Sequence, residues 1–394
     1  MEDRIVIVGG ARTAIGTFGG AFKNTPAYQL GAATVRAALA RAQVTADEID
    51  EVVLGCVGQV GPDAFNARRV ALEAGLPTGS TAYNVNRLCG SGLQAIWSAM
   101  MQIAAGEASI VVAGGNENMS MQPFLNYQGR AGYRLGHHTL VDGTLSLVTD
   151  PWGDYPMGVT AENVANRFNV SREEQDAFAL ASQQRAARAL ERHLFDGEIV
   201  PIEVTERRVT REVRADEHPR PDTTLEALAR LKPAFREGGS VTAGNSSGIN
   251  DAAAAVILMK ESVARATGRK PLARLLHVAK AGVEPEIMGY APASAIARVL
   301  SKASMAISDI GVVELNEAFA AQAVAVIRDA GLDPELTNPN GGAIALGHPI
   351  GATGTILVIK LMAEMQRRSA QFGLVTMCIG GGQALAAIIE LITD

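Results

Sequence analysis

Read as a succession of hydrophobic and polar positions, the chain breaks into short apolar runs separated by longer stretches of helical period. Runs that predict buried strands lie at residues 5–8 (IVIV), 51–54 (EVVL), 110–113 (IVVA), 253–259 (AAAVILM), 311–315 (GVVEL), 372–376 (FGLVT) and 385–390 (LAAIIE). Between them, segments such as 28–42 and 93–105 repeat apolar residues at the spacing of one helix face. Strands alternating with helices predict parallel sheets joined by right-handed crossovers. Residues 121–240 break the rhythm with more charge, proline and irregular spacing. One amphipathic helix is predicted there, from Ser171 as N-cap, with Glu174 completing a capping box, to about His193. This stretch reads as an excursion from the core.

The pattern also echoes itself. Residues 84–103, NVNRLCGSGLQAIWSAMMQI, precede a strand ending in a glycine pair, ASIVVAGG; residues 338–362, NPNGGAIALGHPIGATGTILVIKLM, precede FGLVTMCIGGG. Each copy runs from Asn-x-Asn through a reactive residue and a Gly-rich helix start to a strand closed by glycines. The echo predicts two similar halves about a pseudo-two-fold axis, with Cys89 and His348 in corresponding places.

Composition narrows the class. A length of 394 residues accommodates two domains or one large duplicated unit with a substantial core. Aromatic residues make up 5%, low for stacking on bases, and a net charge of −6 disfavours nucleic acid or membrane surfaces as partners. An anionic small substrate held by a few arginines stays open. Cys56, Cys89 and Cys378 lie far apart, with no CxxC pair and no zinc spacing, so neither a disulfide framework nor a metal site is expected. A strand from residue 3 leaves no room for a signal peptide, and no apolar run reaches the roughly 18 residues of a membrane span. The expectation is a cytoplasmic enzyme.

Cys89 sits in Leu88-Cys89-Gly90-Ser91-Gly92, just before a helix starting near Ser91. Free N–H groups and the helix dipole there favour a thiolate nucleophile; the alternative is a small buried hydrophobe. Cys56, in LGCVG, lacks such a setting and reads as structural. His348 is the only one of six histidines in a rigid Gly-rich segment, GHPIGATG, which suits a base once partners are found. Cys378 ends LVTMC and runs into Ile379-Gly380-Gly381-Gly382, whose N–H groups could bind an oxyanion; the alternative is a tight strand-to-helix turn beside a core cysteine. Asn316, at another strand end, could orient a water or a carbonyl, or cap a turn. All four stand where sites assemble in α/β folds, at strand C-termini or Gly-rich helix starts.

Over essentially its whole length the chain resembles the thiolase family, in the motifs NRLCGSGLQAI, GGNENMS, VTAGNSSGINDAAAA, NEAFA, GGAIALGHPIGATG and CIGGGQ. The resemblance implies a five-layered αβαβα fold: an N-terminal half over 1–268, with a loop domain inserted at about 121–248, and a C-terminal half over 269–394. It implies acyl-CoA thioesters as substrates, no cofactor and no metal, and a homotetramer in which residues 126–143 join dimers. The implied activity is acetyl-CoA C-acetyltransferase, with a broader 3-ketoacyl-CoA thiolase of fatty-acid degradation as the alternative. By that likeness Cys89 is acylated, His348 activates it, and Cys378 handles the α-carbon proton. Asn316 with His348 holds the thioester oxygen, through a water in the case of Asn316. The N–H groups of Cys89 and Gly380 form a second oxyanion hole. Ser247 and Arg220 contact the coenzyme; Met157, Met288 and Phe319 line the acyl and pantetheine pocket.

Three rivals are weaker. Ketoacyl synthases resemble Cys-His-His or Cys-His-Asn sites, which Cys378 contradicts. Non-catalytic lipid-binding relatives lose residues that are all present here, and no GxGxxG supports a dinucleotide site. One departure concerns substrate length: Pro156-Met157-Gly158 stands where acetoacetyl-CoA thiolases often have His-Met-Gly.

Overall fold

The computed structural model describes residues 4–393. Its frame is a ten-stranded sheet in the order Val312–Leu315, Phe372–Ile379, Gln383–Leu391, Ala273–Gly282, Ile5–Arg12, Asn250–Lys260, Ile110–Asn118, Glu51–Gly55, Thr81–Val85, with Gly16–Thr17 added beside Asn250–Lys260. Outward from the middle, the order repeats. Ile5–Arg12 is followed by Asn250–Lys260, Ile110–Asn118 and Glu51–Gly55; Ala273–Gly282 is followed by Gln383–Leu391, Phe372–Ile379 and Val312–Leu315. Thr81–Val85 closes the first series in parallel with Glu51–Gly55, and Thr337 bridges Val313 in parallel at the matching place of the second. The series join through the antiparallel pairs Val6↔Arg274 and Ile7↔Ala273. These are the two similar halves.

Strand direction departs from the sequence expectation of parallel sheets. Glu51–Gly55 is parallel to both its neighbours and Val312–Leu315 to Phe372–Ile379, but the other main pairings are antiparallel. Chain connection explains it. Phe372–Ile379 passes to Gln383–Leu391 through three glycines, too short for a crossover, so the second strand must return antiparallel. The turn after Cys378 is therefore strand-to-strand, not strand-to-helix.

Burial sorts the elements into layers. Helices Ala27–Ala42 and Asn66–Glu73 pack their apolar stripes on one outer face of the first series, around Val6, Val52 and Val112. Helices Ala291–Ala303 and Ala320–Asp329 cover an outer face of the second, around Val313, Leu374 and Ile388. Between the series lie Ser91–Ala105 and Thr353–Arg368, sharing one core with residues of both, including Ile7, Val111, Val375 and Leu385. The result is αβαβα. The two central helices touch through glycine: a Cβ at Gly354 would lie 2.3 Å from Leu93 N, and one at Gly92 2.9 Å from Thr355 N.

The excursion leaves after Ile110–Asn118 and returns into Asn250–Lys260. Its helix Arg172–Glu191 starts as expected, with Ser171 Oγ accepting from Glu174 N and Glu174 Oε2 accepting from Ser171 N. It stops at Glu191, and His193 takes a left-handed φ of 56°. Arg12, at the end of the first strand, anchors the excursion: its fully buried guanidinium donates to both carboxylate oxygens of Asp216 and to Glu198 Oε2. Among the described residues no helix is long and apolar enough to cross a membrane.

Candidate active site

Cys89 stands two residues before the first residue of the central helix Ser91–Ala105. The turn that presents it is tight: Leu88 takes a positive φ of 45°, and Ser91 Oγ donates to Leu88 O while accepting from Arg87 N. Gly90 lets Ile379 pack close, since a Cβ there would lie 2.4 Å from Ile379 Cδ1. The side chain is half-buried, with Leu88 against Val57, Met119 and Ile350. Burial pushes the thiol up to about 11, opposed by hydrogen bonds from the N–H groups of Gly380 and of Cys89 itself. The expected thiolate is thus not the resting form, because desolvation outweighs the helix start.

His348 stands five residues before the first residue of the other central helix, Thr353–Arg368, so its turn is longer than that of Cys89 and the two are not strictly equivalent. The ring is buried, its Nδ1 2.7 Å from Thr353 Oγ and its Nε2 3.4 Å from Asn316 Nδ2. Thr353 Oγ donates to Pro349 O at 2.9 Å, so it must accept from the imidazole. Asn316 Nδ2 can only donate. Both contacts assign the proton to Nδ1 and leave the Nε2 lone pair toward Asn316 Nδ2, in a long contact. Burial lowers the imidazole to about 4, so it is neutral near pH 7. The backbone is fixed as well, His348 N donating to Asn250 Oδ1 at 2.9 Å.

Cys378 is the penultimate residue of its strand and is buried. Burial first, and the neighbouring Cys89 second, push its thiol far above the usual range. Gly380 follows at the glycine turn, its N–H on Cys89; a Cβ there would lie 3.0 Å from Leu88 Cδ1 and 3.1 Å from Met157 Cε. Asn316 begins its loop with N donating to Thr376 O, and its buried Oδ1 has no protein partner. Cys56, by contrast, is buried in the first half, its Sγ 3.9 Å from Gly58 O.

Of the substrate-contact candidates, Met157, Met288 and Phe319 share one apolar cluster with Cys378. Ser247 N donates to Ala318 O, next to Phe319. Arg220 is exposed, its N donating to Gln183 Oε1, and His218 nearby lies against Gly248. Ser247 thus adjoins the cluster around Cys378, while Arg220 stands apart from it, on the Gln183 and His218 side. Thr353, Asn250 and Glu117, which hold the His348 turn in place, had not been singled out from the sequence, although GHPIGATG, VTAGNSSGINDAAAA and GGNENMS carry all three.

A duplicated αβαβα frame with two neighbouring thiols and an imidazole, set at the starts of the two central helices and at a strand end, is that of thiolases. Residues 5–262 match the thiolase N-terminal domain and residues 269–391 the thiolase C-terminal domain. The chain belongs to the thiolase family and is accordingly an enzyme, a transferase. It is 50% identical over 98% of both chains to an acetyl-CoA acetyltransferase of Rhizobium meliloti, and 48% identical over 100% of both to a beta-ketothiolase of Cupriavidus necator. The crystal structure of the Bacillus anthracis acetyl-CoA acetyltransferase superposes with a TM-score of 0.98 at 45% identity, covering 99% of each chain. That of human mitochondrial 3-ketoacyl-CoA thiolase gives 0.96 at 41% identity, again over 99% of each.

Proposed function

We propose that the chain is an acetyl-CoA C-acetyltransferase, joining two acetyl-CoA into acetoacetyl-CoA and CoA, reversibly, through an acyl-enzyme on Cys89. The observation that carries this reading is Cys89 just ahead of a central helix with the buried thiol of Cys378 beside it, in a chain 50% identical to an acetyl-CoA acetyltransferase. The backbone N–H groups of Cys89 and Gly380 would then serve the oxyanion of the acyl transfer.

The chemistry then runs without metal or redox cofactor. His348 Nε2 takes the thiol proton as Cys89 Sγ attacks the thioester carbonyl. CoA leaves with a proton from Cys378, which becomes a thiolate. That thiolate removes the α-proton of the second acetyl-CoA, whose enolate oxygen is held by protonated His348 and by a water on Asn316 Oδ1. The carbanion attacks the acetyl group, and Cys89 leaves as a thiolate that recovers its proton from His348. All three groups are restored. Ser247 and Arg220 hold the coenzyme, while Met157, Met288 and Phe319 line the acyl pocket.

A second reading, a 3-ketoacyl-CoA thiolase of broader chain length serving fatty-acid degradation, is favoured by Pro156 beside Met157. Steady-state thiolysis of acetoacetyl-, 3-ketovaleryl- and 3-ketohexanoyl-CoA separates the two. Highest kcat/KM on acetoacetyl-CoA supports the first reading; a preference for six carbons supports the second. We also propose a cytoplasmic homotetramer built from halves 1–268 and 269–394. Its support is the free state of Cys56, Cys89 and Cys378 and the exposed Tyr127, Tyr133, Leu135 and Leu140 in residues 126–143.

A further inference from the structure

The turn that carries His348 belongs to the second half but is seated in the first. Its Gly351 lies in a slot lined by glycines: a Cβ at Gly115 would be 2.0 Å from Gly351 O, and one at Gly55 2.6 Å from it. Beside this slot stands Glu117, 1% exposed at the end region of strand Ile110–Asn118. Its Oε2 accepts from Gly351 N and from Val57 N, and its Oε1 from Gly58 N, each at 3.0 Å. One carboxylate therefore grips a loop of the first half with one set of bonds and the His348 turn with another. The three N–H groups offset part of the cost of burying it, and burial still lifts its carboxyl to about 7.

We propose that Glu117 is a positioning residue: it clasps the His348 turn against the first half and so sets the imidazole against Cys89. The inference rests on His348 serving as the base for Cys89. A carboxylate suits this place better than an amide, because three N–H groups point at its two oxygens and an amide NH2 would oppose at least one of them. The motif GGNENMS thereby acquires a role distinct from strand formation.

The charge and the grip act on Cys89 in opposite directions, which makes the proposal testable. Burial is the main cause of the raised Cys89 thiol, and the negative field of Glu117 adds to it. Because burial also lifts the Glu117 carboxyl to about 7, rates are compared above pH 8, where it is ionised and removing it favours the thiolate. In Glu117→Gln, alkylation by iodoacetamide, which follows the thiolate fraction, should become faster. Acylation by acetyl-CoA in a single turnover should fall roughly a hundredfold, as for a misplacement of about 1 Å, with KM unchanged. Acylation at the wild-type rate, or both rates falling together with thermal stability, overturns the proposal. If the Gln variant does not fold, Glu117→Asp is read instead: it keeps the charge but withdraws the carboxylate by one methylene. It should slow acylation with alkylation unchanged, and wild-type acylation overturns the clasp. His348→Ala serves as control. If it acylates normally the base assignment fails, whereas loss there with no loss in the Glu117 variants fails the clasp alone.

Discussion

Thr353 Oγ lies 2.7 Å from His348 Nδ1 and commits its own proton to Pro349 O, which fixes the imidazole with Nε2 unprotonated. A base for Cys89 needs that tautomer. Thr353→Val keeps the shape but removes the acceptor, leaving a buried N–H unpaired at a cost of about 1–3 kcal/mol. The ring is then free to turn or change tautomer. We expect acylation to slow by roughly 10- to 100-fold with KM unchanged, and Thr353→Ser, which restores the hydroxyl, to recover most of it. Pre-steady-state acylation checks this; a wild-type rate in the Val variant removes the tautomer lock from the account.

The resting pair is a thiol with a neutral imidazole. Burial holds Cys89 up to about 11 and His348 down to about 4. A thiol with a raised value is more nucleophilic toward iodoacetamide only as pH rises toward that value, so alkylation should be slow at pH 7 and climb steadily through pH 10. The base works when unprotonated, so activity on the acid side should persist until pH approaches about 4. Alkylation rate against pH decides: a plateau already reached below pH 8 would mean a preformed thiolate–imidazolium pair.

Much of the frame was legible from the chain. The run at residues 253–259 is wholly buried in its strand, and the Ser171/Glu174 box marked a helix start to the residue. Direction was not legible, because a continuous apolar run reads the same in parallel and antiparallel pairing. The strand Thr81–Val85 was missed because its edge position leaves it half-exposed and without an apolar run. At the site, Cys89, His348, Cys378 and Asn316 stood out by chemistry and glycine context. Their supports did not: Asn250 reaches His348 across 98 residues and Glu117 reaches Gly351 across 234, separations that carry no local signal.

Arg12 carries the link between the core and the excursion. Its guanidinium is fully buried against Asp216 and Glu198, which are buried too. Arg12→Met would leave two carboxylates without their cation, and such breakage costs about 3–5 kcal/mol. Urea unfolding should show that loss as a lower midpoint at similar slope. A loss below about 1 kcal/mol would mean that water or rearrangement replaces the cation.

Pro156 is exposed and precedes Met157, whose Cε is near Gly380. Proline fixes φ and offers a stiffer, less polar wall than histidine. Each methylene in an apolar pocket shifts discrimination by about 1–3 kcal/mol. Pro156→His should therefore lower kcat/KM for 3-ketohexanoyl-CoA relative to acetoacetyl-CoA by about tenfold or more. An unchanged ratio would detach Pro156 from chain length.

The central claim is a division of labour between two thiols, Cys89 holding the acyl group and Cys378 working on the α-carbon. Intact-protein mass spectrometry after acetyl-CoA addition, run beside exchange of the acetyl α-protons, tests it on wild type, Cys89→Ala and Cys378→Ser. Wild type should gain one acetyl group on Cys89 and exchange protons. Cys89→Ala should gain none, and Cys378→Ser should keep the adduct while losing exchange. An acetyl adduct persisting on Cys89→Ala, or wild-type exchange in Cys378→Ser, would contradict the account.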